Sequence, residues 1–151
     1  MPQDSWAELE AIKQLKARYF RLLDEKRWEE WGAVFSEDAE LDTTQDAPDA
    51  RARGRDAIVA MVSQAVGQAV TVHHGHMPEI ELTSPTTATG IWAMEDTLEF
   101  PGDPPALVVH GRGHYFETYE KDSGGQWCIT SLKLRRLWLA YDGRRVRPPP
   151  G

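Results

Sequence analysis

Apolar residues recur along this chain at two different periods, and the change of period divides it in half. Leu9, Ile12, Leu15, Tyr19 and the adjacent Leu22 and Leu23 recur at helical spacing, so they share one side of a helix. Asp4 or Ser5 can cap its start, acidic residues sit in its first turn, and it should end near Lys26. Trp28, Trp31 and Phe35 continue the spacing in a short second helix, roughly Trp28 to Phe35. A brief strand from Ala39 to Thr43 and a polar loop from Gln45 to Gly54 come next. The third helix, Arg55 to Val66, would bury Ile58, Met61, Val62 and Ala65.

After Gly67 the pattern is that of strands: Val70 to His76, Glu79 to Leu82, Ala88 to Phe100, Leu107 to Glu120 and Gln126 to Tyr141. Ser84-Pro85, Pro101-Gly102-Asp103-Pro104-Pro105 and Ser123-Gly124-Gly125 mark the turns. Helices first and long antiparallel strands afterwards is an α+β order. Strands of this length must bend, and Gly90, Gly111 and Gly113 allow it. A bent sheet covered by helices leaves a cavity on its concave side, a natural place for a small ligand. The expected domain is 1–143. Arg144-Arg145-Val146-Arg147 and the prolines that follow, 144–151, read as a flexible tail.

Composition narrows this picture. With 151 residues, 40% of them hydrophobic and six of them tryptophan, the chain can build one real core. A net charge of −7 disfavours nucleic acid, whose phosphates need clustered Lys and Arg. The single cysteine, Cys128, rules out an intrachain disulfide and fits a reducing compartment. MPQDSWAELE has neither a basic n-region nor an apolar h-region, and no stretch is apolar enough to span a membrane. The expected setting is cytoplasmic.

Several segments together resemble a known family. Leu22-Leu23-Asp24-Glu25-Lys26-Arg27-Trp28 and Phe35-Ser36-Glu37-Asp38-Ala39-Glu40 are similar to the start of SnoaL-like domains in the nuclear transport factor 2-like superfamily. So are Gly54-Arg55-Asp56-Ala57-Ile58, Thr71-Val72-His73-His74-Gly75 with Glu79-Ile80-Glu81-Leu82, and the Tyr115, Glu117, Tyr119 pattern before Gly125-Gln126-Trp127. The resemblance implies a cone-like curved antiparallel sheet wrapped by N-terminal helices, a cystatin-like α+β barrel. It points to the branch holding scytalone dehydratase, hexachlorocyclohexane dehydrochlorinase and bile acid dehydratase. That branch uses an Asp–His pair, which falls here on Asp24 and His73. The tyrosines of scytalone dehydratase are matched by Leu23 and Thr43, and the lysine and arginine of the dehydrochlorinase by Tyr19 and Ser131.

The chemistry of such a pair is simple. An imidazole changes charge at physiological pH and can take a proton, while a carboxylate on its other nitrogen fixes the tautomer and stabilises the imidazolium. Elimination or isomerisation then needs only a polarising group and no cofactor. If His73 points inward, Thr71 and Gly75 do too, and the family register turns Trp92, Met94 and Asp96 toward the cavity. The same register selects Arg112, His114 and Phe116, then Ser131 and Lys133. Asp96 should pair with Arg112 or His114, and Arg112, His114 or Tyr19 could polarise the substrate. A one-residue slip would turn the strand residues outward.

A metal site is disfavoured. His110 and His114 lie roughly 13 Å apart along a strand, and the closer pair, His74 and His76 at about 7 Å, faces away from His73. The leading expectation is therefore a cofactor-independent lyase or isomerase, dehydratase-like, acting on a small apolar or cyclic molecule. The rivals are a non-catalytic ligand binder and a protein-interaction module, for which Tyr115 and Tyr119 would form an exposed aromatic row. A homodimer or homotrimer is expected by analogy.

Overall fold

In the computed structural model, which describes residues 3–150, three helices pack against one seven-stranded sheet. Helix α1 (Gln3–Asp24) buries Ile12, Leu15, Tyr19, Leu22 and Leu23, the stripe that the periodicity predicts. It has already begun at Gln3, so Asp4 lies in its first turn and neither Asp4 nor Ser5 precedes it as a cap. Its far end is closed by the backbone. Lys26 takes a left-handed φ of 60°, and the N–H groups of Lys26 and Arg27 bond back to the Leu23 and Leu22 carbonyls. Asp24 is thereby fixed as the last helical residue.

Helix α2 (Trp28–Gly32) is shorter than the tryptophan spacing suggests, because Phe35 belongs to the sheet. Phe35 opens β1 (Phe35–Asp42), pairs with Ile129 and is fully buried against Trp31. Strand β2 (Arg51–Arg53) lies inside the segment expected to be loop and pairs with Glu40–Asp42. Helix α3 (Arg55–Val66) follows; of its expected buried face only Ile58 is buried, while Met61 and Val62 are half-buried and Ala65 is exposed.

The long strands are β3 (Val70–Leu82), β4 (Thr87–Phe100), β5 (Leu107–Lys121) and β6 (Trp127–Tyr141). What the sequence divides at Met77-Pro78 is one strand with an irregularity between His76 and Glu79, where Met77 takes a φ of 36°. A last strand, β7 (Arg144–Val146), pairs with Leu139–Tyr141, so residues 144–146 extend the sheet and are not a free tail. Pro149 is tied down too, accepting a hydrogen bond from the Gln45 amide at 2.6 Å.

Strand order is β2-β1-β6-β5-β4-β3 with β7 beside β6, antiparallel except for β1 against β6. The sheet is curved but does not close. α1 lies across it, and the core forms where Tyr19, Trp31, Phe35, Trp92, Tyr115 and Leu134 meet. No described helix is long and apolar enough to cross a membrane.

Candidate active site

Asp24 and His73 meet directly. One carboxylate oxygen accepts from His73 Nδ1 at 2.7 Å and from the Thr71 hydroxyl at 3.0 Å; the other accepts from the His73 backbone N–H at 2.9 Å. The Lys26 ammonium donates to the Thr71 hydroxyl from behind. Each partner follows from a local rule. The helix ends on Asp24, and β3 alternation points both Thr71 and His73 toward it. An ionised Asp24 is an acceptor only, so the Nδ1 proton stays on the ring and Nε2 is left as the basic nitrogen.

Nε2 faces a cavity of about 350 Å³ between the concave sheet, α3 and the loop from Thr43 to Ala50. The cavity is mostly apolar, with Met61, Val62, Leu98, Phe100 and Leu107 in its wall. Its polar lining includes Tyr19, His73, Asp96, Arg136, Asp46 and Thr43. Asp24 does not line it. Its side chain, 22% exposed, opens instead to a shallow groove beside Phe20, Arg21 and His76. A wider groove of about 680 Å³ along β6 and the C-terminal prolines carries no acid–base pair.

Asp96 stands 3.8 Å from His73 Nε2 on its other side. The expectation that Asp96 pairs with Arg112 or His114 is overturned: its partner is Arg136. The guanidinium grips Asp96 with two bonds (2.8 and 2.9 Å) and Asp46 with two more (2.6 and 3.1 Å). Burial by itself would lower the Arg136 pKa, but the two carboxylates outweigh it and hold the guanidinium charged. Tyr19 is buried beside the dyad. Its phenol is pushed well above the ordinary range, first by burial and then by the Glu117 carboxylate, so it can donate a hydrogen bond but not ionise.

The structure divides the other expected pocket residues. Trp92, Met94 and Asp96 point inward, but Trp92 and Met94 pack in the core and do not line the cavity. Arg112, His114 and Phe116 lie on the outer face, where Arg112 sits over the Trp138 ring. From Gly111 onward the inward residues of β5 are Gly111, Gly113, Tyr115, Glu117 and Tyr119, set opposite Asp96, Met94, Trp92, Gly90 and Ala88. Ser131 and Lys133 also face outward, Ser131 bonding to Thr118, while Leu132, Leu134 and Arg136 face in. The cause is phase. Cross-strand partners share a face, and irregularities between Arg112 and Gly113 and between Thr118 and Tyr119 reset the β5–β6 pairing. Tyr115 and Tyr119, expected as an exposed row, are 2% and 1% exposed.

Arg136 escaped the sequence reading, although a signal for it exists. Gly111 stands opposite Asp96 on the inner face, and a Cβ there would lie 1.9 Å from Arg136 Nη1. The missing side chain at Gly111 leaves the room that the Arg136 guanidinium occupies beside Asp96.

A family model for the SnoaL-like domain matches residues 4–133. Among solved structures, a provisionally named scytalone dehydratase from Novosphingobium aromaticivorans superposes with a TM-score of 0.82 at 28% identity, over 98% of this chain and 97% of its own. A protein of unknown function from Mycobacterium tuberculosis gives 0.73 at 27% identity, over 90% and 76%. The hexachlorocyclohexane dehydrochlorinase LinA-type3 from Novosphingobium barchaimii gives 0.80 at 18% identity, over 99% and 100%, a likeness of fold alone.

Proposed function

Since the chain belongs to the SnoaL-like domain family, with its nuclear transport factor 2-like fold, we propose that it is a cofactor-independent lyase or isomerase of the dehydratase type. One observation carries this reading: the His73 ring is held at Nδ1 by Asp24 and turns Nε2 into an apolar cavity. His73 would be the base and Asp24 the group that orients it. Nε2 removes a proton from carbon next to a carbonyl, and Asp24 stabilises the imidazolium that forms. In a dehydration the imidazolium returns that proton to the departing β-hydroxyl, leaving an enone and water. In an isomerisation it returns the proton to a different carbon. The Tyr19 phenol, kept protonated by burial, is the donor for the substrate oxygen.

A binding role without turnover is the second reading. Leu23 and Thr43 line the cavity where scytalone dehydratase carries tyrosines, so fewer hydroxyls are free to act on a ligand. A panel of cyclic and aromatic β-hydroxy ketones, followed by enone absorbance, separates the two. Turnover that falls about 10²–10⁴-fold in His73→Gln, with Arg112→Ala unchanged as an outer-face control, supports the lyase. Binding seen by NMR with no turnover of any member leaves the binder. A cytoplasmic homodimer or homotrimer is part of the same proposal, and light scattering measures the assembly.

A further inference from the structure

We propose that Arg136 is the docking point for a carboxylate of the ligand, and that Asp46 is the group this carboxylate displaces. The inference names the substrate class for the site just described and rests on that reading for the reaction, though not for the binding.

Arg136 holds two carboxylates, each through two hydrogen bonds, and the two are not equivalent. Asp96 is part of β4, which is paired on both sides, and its side chain is 3% exposed. Asp46 sits on the loop between β1 and β2, and its side chain is 37% exposed. Both it and Arg136 line the cavity. The loop is held by other contacts. Thr43 N–H bonds to the Ala50 carbonyl, and Asp46 N–H bonds to that of Thr43. The neighbouring Gln45 side chain accepts from the Arg136 backbone N–H and donates to Pro149. Asp46 can therefore rotate into water without the loop unfolding.

The exchange keeps charge in balance, because one carboxylate replaces another on the same guanidinium. A neutral ligand that displaced Asp46 would leave a buried guanidinium half-paired, which is costly. It would have to bind with Asp46 in place and gain nothing from the cation. Beyond Arg136 the wall is apolar, with Met61, Val62, Leu98 and Phe100. The ligand is thus an organic acid with an apolar, ring-sized body. Asp96 bridges the two ends of the site, gripped by Arg136 and 3.8 Å from His73 Nε2. An acid held on Arg136 presents carbon atoms close to its own carboxylate to the base.

The test uses cyclohexanecarboxylate and its neutral isostere cyclohexanecarboxamide, titrated calorimetrically into the full chain at pH 7. The acid should bind at least about tenfold tighter than the amide, the scale of one charge-assisted bidentate contact. Asp46→Ala should tighten the acid several-fold and leave the amide unchanged; Asp46→Asn reads the same exchange if the alanine variant does not fold. Equal affinity for acid and amide, binding of neither, or an acid affinity that Asp46 variants leave unchanged or weaken overturns the proposal. Neutral ketones turned over by a protein that prefers no acid would sink this inference and leave the lyase. Tight acid binding without turnover of any acid would do the reverse.

Discussion

Two charged clusters lie on the same concave face, and they are put to opposite uses. At one end Lys16 of α1 forms an ion pair with Glu117 of β5, both side chains fully buried. The Tyr119 phenol donates to Glu117 at 2.6 Å, Trp92 Nε1 donates to Tyr119 at 3.0 Å, and the Lys16 ammonium stands over the rings of Tyr19 and Tyr115. Every polar atom of Lys16, Glu117, Tyr119 and Trp92 is satisfied, and none of the four lines the cavity. Burial, working against Glu117, pulls the Lys16 pKa down to about 8. At the other end Asp24, His73, Asp96, Arg136 and Asp46 are just as well bonded, but Nε2 of His73 faces the cavity. The difference lies in space, not in residue type: a sealed ion pair ties α1 to the sheet, whereas the second ion cluster borders a cavity, which is why the proposed ligand site is placed there.

Breaking the sealed pair should have the larger effect on stability. Lys16→Met leaves a buried carboxylate without its cation and should cost about 3–5 kcal/mol in chemical denaturation. Adding Glu117→Leu should recover much of that, since an apolar pair of similar volume removes the uncompensated charge. If the single variant unfolds at the wild-type midpoint, the pair does not hold α1 to the sheet.

The cavity cluster is probed with less damage through Gly111. In Gly111→Ala the new Cβ would crowd Arg136 Nη1 and Asp96 Oδ1, forcing the two apart. A loss of about 1–3 kcal/mol is expected, the range for overpacking, with fold retained in circular dichroism. An alanine tolerated without cost would mean that the Asp96–Arg136 grip is not as tight as its distances imply.

The smallest effect is a pH dependence at the cavity loop. Asp42 accepts from the hydroxyl and N–H of Thr44 and from Arg51. Partial burial acts to raise its pKa, but these donors together bring it down to about 2 from an ordinary 3.8. A carboxyl depressed on folding stabilises fully above its unfolded value and loses that contribution as pH falls through its folded one. Melting temperature should therefore drop between pH 4 and 2 in the wild type, and less steeply in Asp42→Asn. Equal slopes would show that Asp42 does not anchor the loop.

Helices are the readable part of this protein, and the contact between Asp24 and His73 was expected from the family resemblance alone. Tyr19, Leu22 and Leu23 face inward because helical spacing leaves them no other side, and the helix, expected to end near Lys26, ends at Asp24. The strands were legible as strands but not in phase. Gly111, Gly113 and Glu117 point inward and Phe116 outward, which erases the alternation that would have fixed β5. Strand β2 and strand β7 are polar three-residue segments that owe their state to a neighbour's unpaired edge, not to any pattern of their own.

By itself the sequence determined the order of elements and the buried stripe of α1, because these follow from local period and chain direction; the expectation that Asp24 meets His73 came from the family resemblance. Tertiary pairing alone decided which face each residue of β5 and β6 presents. It chose Arg136 as the partner of Asp96 in place of Arg112 or His114, and it left the space in front of His73. A strand's alternation has two equivalent phases, and only hydrogen bonding to a neighbour, bulges included, selects between them.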